Sequence, residues 1–137
     1  PDIVCTQFTQ GDQAKGQAAM ENCLQKNPNI NLVYSINEPS GLGAYNAMRK
    51  AGNRSLLVSV DGGCTGVQGV KDGKIAATSQ QYPLKMASQG VSAIASTVRD
   101  GKKVSGYHDT GVNLITAKPM QGVPSKDVQF GLDNCWG

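Results

Sequence analysis

Strands and helices alternate along this chain, and the alternation predicts an α/β fold: a three-layer, mostly parallel sheet with helices on both faces. Two observations carry the prediction. Short apolar runs such as residues 31–36 and 55–60 are separated by segments whose apolar residues recur at helical spacing, with Gly or Pro at most junctions. The run 31–36 is also nearly continuous in apolar residues rather than alternating, the pattern of a strand covered on both faces.

Taken in order, residues 3–7 predict a short strand, and Asp12 is the natural N-cap of a helix with Gly16, Met20, Cys23, Leu24 and Asn27 on one side. Pro28 and Asn29 stop it. A second strand follows over 31–36, and Pro39 and Ser40 open a helix carrying Leu42, Tyr45 and Met48, with Gly52 where a left-handed residue ends it. The third strand is 55–60. After Gly62 and Gly63, Thr65 is expected to cap a short helix with Val67 and Val70 inward, and Gly73 closes it before residues 74–80 extend again. Pro83 starts the longest helix, whose stripe is Ala87, Val91, Ile94, Ala95 and Val98, and Asp100-Gly101 ends it. Residues 110–116 form a last strand before a tail with Pro119, Pro124 and a final turn at 130–136.

The length of 137 residues suits one domain with a sizeable core, and 39% hydrophobic with 17% charged residues is an ordinary globular composition. Net charge is +3, but the basic residues are scattered, so no phosphate-binding stripe forms and nucleic acid is not an expected partner. No apolar run reaches the roughly 18 residues of a membrane span. A chain that opens directly into strand-like residues, with no leader before them, is expected to lack its beginning.

Cys5, Cys23, Cys64 and Cys135 show no Cys-x-x-Cys spacing, and His108 is the sole histidine, so no metal site is predicted. An even number fits two disulfides and an oxidising compartment; buried thiols are the alternative. Cys64 stands where a nucleophile would, yet has no histidine partner nearby in sequence. Gly41-Leu-Gly43 lies inside a helix pattern and lacks the third glycine of a dinucleotide turn, so it reads as helix packing and no cofactor is expected. Glu38 and Asp61 form no recognisable acid and base pair. No catalytic constellation emerges.

Ligands of open parallel sheets bind at the carboxyl ends of the strands. Those ends are polar here: Asn37-Glu38, Asp61-Gly62-Gly63 and Gln80-Gln81 follow three successive runs. A carboxylate accepts two hydroxyl hydrogen bonds and amides donate and accept, which matches the vicinal hydroxyls of a neutral sugar. Asn37 and Asp61 are also residue types that cap helices and form turns.

The stretches Gly11-Asp-Gln-Ala-Lys-Gly16, Asn29-Ile-Asn-Leu-Val-Tyr-Ser-Ile-Asn-Glu38, Val58-Ser-Val-Asp-Gly62 and Gly73-Lys-Ile-Ala-Ala-Thr-Ser-Gln-Gln81 together resemble the type I periplasmic sugar-binding proteins, in the ribose and fructose branch serving ATP-binding-cassette importers. The resemblance implies that Asn37, Asp61 and Gln81 contact a monosaccharide ligand, that the partner is an importer permease, and that the location is periplasmic or secreted. The Gly-Gly-Cys64 turn and the closing Asn-Cys135-Trp-Gly are similar to the fructose-type branch. Where the ribose branch has an aromatic residue between the first strand and its helix, this sequence has Gly11 or, less well aligned, Phe8. The family's two-lobed architecture implies that residues 1–81 are most of the carboxyl-terminal lobe, 82–109 a helix and crossing belonging to the amino-terminal lobe, and 110–137 the final crossing strand and tail, with an amino-terminal portion missing. Exposed helix and hinge surfaces would follow. A Cys64 to Cys135 bridge is expected, with Cys5 and Cys23 as a second pair or free. The effector-binding core of a sugar-responsive transcription regulator is the alternative with the same fold; the four cysteines and the unpatterned surface charge count against it.

Overall fold

The computed structural model describes residues 2–137. Helix α1 (Gln13–Lys26) starts where the Asp12 carboxylate accepts the Lys15 N–H at 2.8 Å, and it buries Gly16, Met20, Cys23 and Leu24, the side its spacing predicts. Strand β1 (Leu32–Tyr34) leads into α2 (Glu38–Lys50), which has Asn37 as N-cap and Pro39 in its first turn. There follow β2 (Leu56–Asp61), α3 (Cys64–Lys71), β3 (Ala77–Gln80), α4 (Pro83–Asp100), β4 (Asn113–Thr116) and α5 (Val128–Asp133). Gly52, Gly73 and Gly101 all take positive φ at helix ends. Helix α3 begins one residue before Thr65, so Gly63 rather than Thr65 is its N-cap, with no side-chain cap; the Cys64 N–H is satisfied by the Trp136 carbonyl.

The four strands lie in sequence order, β1, β2 and β3 parallel and β4 antiparallel to β3. Lateral partners share a face, so Val33 beside Leu57, and Ser59 beside Thr78 beside Ile115, mark the covered one. Two apolar clusters lie on that side. One joins Met20, Cys23 and Leu24 of α1 to Ala44, Ala47 and Met48 of α2, and the other joins Leu57, Val70 and Ile75. The two helices of the first cluster touch through glycine: a Cβ on Gly43 would stand 2.0 Å from the Gln13 carbonyl oxygen, and one on Gly16 2.3 Å from that of Ser40. The predicted packing role of Gly41-Leu-Gly43 is thereby realised.

Residues 3–7 form no strand. Ile3 and Val4 are exposed, and Cys5 ties the segment to α1 through the Cys5–Cys23 disulfide and by packing against the cluster there. Apolar sequence supplies strand propensity but not a neighbour for the backbone N–H and C=O groups, and β1 pairs with β2 alone. On the other side of the sheet Leu32, Tyr34 and Leu56 are exposed, Tyr34 at 66%. Helix α4, the longest, buries none of its residues, and Val91, Ile94 and Val98 of its apolar stripe are exposed, as is Leu84.

Candidate ligand-binding site

The carboxyl ends of β1, β2 and β3 place Asn37, Asp61 and Gln81 at one edge of the sheet, each half-buried. Asp61 and Gln81 are in direct contact. The Gln81 side-chain amide donates to Asp61 Oδ1 at 2.9 Å, and the Gln81 backbone N–H donates to the Asp61 carbonyl at 3.0 Å. Asn37 makes no hydrogen bond to either; its Oδ1 accepts from the Ser40 N–H at 3.1 Å, capping α2, and its Nδ2 donates to the Gly11 carbonyl at 3.0 Å. Asn37 thus caps α2 at the same end of the sheet that carries Asp61 and Gln81. Among the described residues, Asp61 Oδ2 and Gln81 Oε1 accept no hydrogen bond, and Asn37 Nδ2 has a second N–H to give. Two acceptors and an amide donor thus remain for a ligand rich in hydroxyls.

Asp61 has φ of +131°, a region L-residues rarely occupy, and Gly62 follows at +68°. Only glycine fits at 62, since an added Cβ would stand 2.3 Å from Cβ and Cγ of Gln80. Beneath this turn lies Glu38, which the sequence places beside Asn37 but does not reveal as buried. It is 4% exposed, and its carboxylate accepts from the Gly62 N–H at 2.9 Å, the Gly63 N–H at 3.0 Å and Thr78 Oγ1 at 2.6 Å. Burial raises its pKa above the ordinary glutamate value. The three hydrogen bonds pull the other way and are outweighed, while the negative charge of Asp61 adds a smaller upward push. Buried and bonded to Gly62, Gly63 and Thr78, Glu38 supports the turn from beneath. Gly66 makes room for it, because a Cβ there would lie 1.7 Å from the Glu38 Cδ.

Gln80 and Trp136 are further residues that sequence reasoning did not assign. Gln80 is wholly buried and its Nε2 donates to the carbonyls of Gly62 at 3.0 Å and Gly131 at 2.9 Å. Strand parity could have found it, since Thr78 and Gln80 share the covered face and Gln81 does not. Trp136 donates its indole N–H to the Asp61 carbonyl at 3.3 Å; no sequence signal points to that contact. The expected Cys64–Cys135 bridge forms, and Cys5 and Cys23, left open as a second pair or free, are joined to each other, so that among the described residues no free cysteine remains. The aromatic Phe8 is 92% exposed, and Gly11 contributes only its carbonyl to Asn37.

The sequence matches the family described as "Periplasmic binding protein domain" over residues 2–103. It is 33% identical over 115 residues to the ribose import binding protein RbsB of Salmonella typhimurium, an alignment covering 83% of this chain and 38% of that protein. Among solved structures, a galactofuranose binding protein is similar with a TM-score of 0.77 and 26% identity over 82% of this chain and 40% of that one. An ABC transporter solute binding protein from Agrobacterium vitis with bound D-fucose gives a TM-score of 0.80 over 99% of this chain and 45% of that one; at 24% identity this likeness shows the fold alone. The chain therefore spans less than half the length of these relatives. An α/β chain whose mostly parallel sheet matches such structures, with polar residues at the strand ends, belongs to the periplasmic binding protein domain family.

Proposed function

We propose that Asn37, Asp61 and Gln81 are half of a binding site for a monosaccharide of the fructose or ribose type, which this protein binds in the periplasm and delivers to the permease of an ABC importer. The observation that carries this reading is Asp61. Its carboxylate stands at the strand end in a strained backbone conformation, supported by Glu38 from below, with Oδ2 open to a hydroxyl pair. Strain maintained at one residue, where turn geometry alone would select glycine or asparagine, points to a functional demand on that carboxylate. The similarity to a ribose import binding protein agrees with it. Binding rather than catalysis is the activity, because the one nearby acid, Glu38, is enclosed by its own partners.

The second half of the site belongs, in this proposal, to an amino-terminal portion forming the other lobe. Residues 1–81 are then most of the carboxyl-terminal lobe, 82–109 carry α4 into the other lobe, and 110–137 return. Two features support the division. The outward apolar stripe of α4 is suited to be covered by further protein. Where the chain leaves and re-enters the sheet, Asn113 Nδ2 donates to the Tyr82 hydroxyl at 2.6 Å and Lys85 Nζ to the Thr110 carbonyl at 2.8 Å, so the two crossings run side by side as hinge strands would. Closure of the lobes over the sugar would create the form that the permease recognises.

Calorimetric titration of D-fructose and D-ribose into the full-length protein and into this chain tests the reading. Binding by the full-length protein and feeble binding by the chain is the expected result. Full affinity in the chain overturns the two-lobe account, and no binding of either sugar by the full-length protein overturns the ligand class.

A further inference from the structure

The contacts of the carboxyl-terminal tail converge on a few residues of the site. Helix α5 is seated tightly, since a Cβ on Gly131 would stand 2.7 Å from Ile115 Cγ2 and 2.9 Å from Val67 Cγ1. From that seat the buried Gln80 amide joins the tail to the turn, donating to Gly131 and to Gly62. Both neighbours are carbonyl oxygens, so the amide nitrogen must face them, and Oε1 is left buried without a partner. An orphaned buried carbonyl is retained at a cost, here in exchange for the link between Gly62 and Gly131. Further along, the Trp136 carbonyl accepts the Cys64 N–H at 3.0 Å, the Cys64–Cys135 disulfide fastens the neighbouring position, and the Trp136 indole N–H reaches the Asp61 carbonyl.

Trp136 belongs to neither apolar cluster, so its ring is not there to fill the core. Its polar contacts go to Asp61 and Cys64, at the two ends of the strained turn. A backbone at φ of +131° relaxes unless its neighbours are over-determined, and the Asp61 carbonyl is fixed by two donors, the Gln81 N–H and the Trp136 indole.

We infer that the tail from Asp127 to Trp136 is a positioning element of the ligand site, with Trp136 and Gln80 acting through Asp61, an inference that rests on Asp61 being a ligand contact as proposed above. Neither residue touches the ligand. Their effect is to hold the Asp61 carboxylate at the angle a hydroxyl pair requires, so they set affinity without adding a contact.

The experiment is a double-mutant cycle on the full-length protein, read by calorimetric titration of the sugar that the wild type binds. Trp136→Phe keeps a ring and removes the N–H. It is expected to weaken binding about threefold to tenfold, the size of one neutral hydrogen bond, with the thermal midpoint of the ligand-free protein little changed. In an Asp61→Asn background the same substitution should alter affinity by less than about twofold, because the group it positions has already lost its charge. Cys64→Ser with Cys135→Ser frees the tail without altering Trp136 or Asp61 and is expected to weaken binding in the same direction. An unchanged affinity in Trp136→Phe, beside a clear loss in Asp61→Asn, overturns the inference and leaves the site intact. Equal losses in both backgrounds also overturn it, since the tail then acts elsewhere. Unchanged affinity in Asp61→Asn removes Asp61 from the site, and the inference falls with that reading rather than by itself.

Discussion

Gln81 donates to Asp61 Oδ1, while Gln80, one residue earlier, turns to the covered face of the sheet and donates to Gly62 and Gly131. Adjacent residues of an extended segment point to opposite sides, so Gln80 at the end of β3 serves the scaffold under the turn while Gln81, just beyond it, meets Asp61. The consequence is a carboxylate with one oxygen oriented by protein and the other available. That arrangement fixes the carboxylate plane before any ligand arrives.

Asp61→Ala should therefore be the most damaging single change to sugar binding. Losing hydrogen bonds to a charged group costs about 1.5 to 3 kcal/mol each, one or two powers of ten in Kd, whereas neutral ones cost about 0.5 to 1.5 kcal/mol. Asn37→Ala should weaken binding less and unfold the protein more easily, because it also removes the α2 cap and the Gly11 contact, the cap alone accounting for about 1 kcal/mol. Titration and thermal unfolding of both variants separate the two effects. A larger affinity loss in Asn37→Ala contradicts the ranking.

Legibility in the sequence followed locality. Asp12 and Asn37 are caps whose partners lie three residues away, and Gly52, Gly73 and Gly101 end helices by their own backbone freedom, so local pattern sufficed. The place of Asp61 and Gln81 at the carboxyl end of the sheet was legible because each follows directly on a run that the sequence marks as a strand. Residues 3–7 misled because propensity does not specify a pairing partner. Glu38 was visible as a residue but not as a buried one, since its enclosure depends on Gly62, Gly63 and Thr78, brought in from later strands and turns. Trp136 and Gln80 act across sequence separations of 75 and 51 residues, through a tail whose course no local pattern encodes.

Glu38 gives stability a pH dependence of definite sign. Its folded pKa is raised above 4.5, so between those two values the folded state binds more protons than the unfolded one. The contribution is then fully present below pH 4.5 and is lost as pH rises through the raised value, with a slope of at most about 1.4 kcal/mol per pH unit for one proton. The stability of the wild type minus that of Glu38→Gln, measured by urea unfolding, should fall as pH climbs from 4.5 toward neutrality. A rise in that signed difference over the window refutes the assignment.

Two glycines in helices should respond oppositely to alanine. At Gly43 a Cβ would meet the backbone of Gln13 and Gln17, at 2.0 Å and 2.8 Å, so α1 and α2 must separate; overpacking of this kind costs about 1 to 3 kcal/mol. Gly90 in α4 has nothing within 4 Å, and alanine there removes backbone entropy from the unfolded chain, a gain of about 0.4 to 1 kcal/mol. Thermal unfolding of this chain followed by circular dichroism should show a lowered midpoint for Gly43→Ala and a slightly raised helix content for Gly90→Ala. A neutral Gly43→Ala would mean that the close approach of the helices is not required.

The two disulfides should differ in both magnitude and reach. In the chain-entropy account the stabilisation grows with the loop closed, and the loops here separate their cysteines by 71 residues for Cys64–Cys135 and 18 for Cys5–Cys23. Each removal is expected to cost about 2 to 4 kcal/mol, with the longer loop costing about 1 kcal/mol more. Location matters as well. Cys5–Cys23 ties an unpaired segment to α1, so its loss should free residues 3–7 and leave the site's amides protected. Cys64–Cys135 anchors the tail that holds Asp61, so its loss should speed hydrogen exchange first at the Cys64 amide, bound to the Trp136 carbonyl, and at the Gly131 and Asn134 amides, before α1 and α2 are affected. Exchange mapped by mass spectrometry on the two double-serine variants decides this. Uniform loosening in the Cys64→Ser, Cys135→Ser variant would show that the tail is part of the global folding unit, and unchanged exchange at Cys64 would show that the indole and the Gln80 amide hold the tail without the bridge.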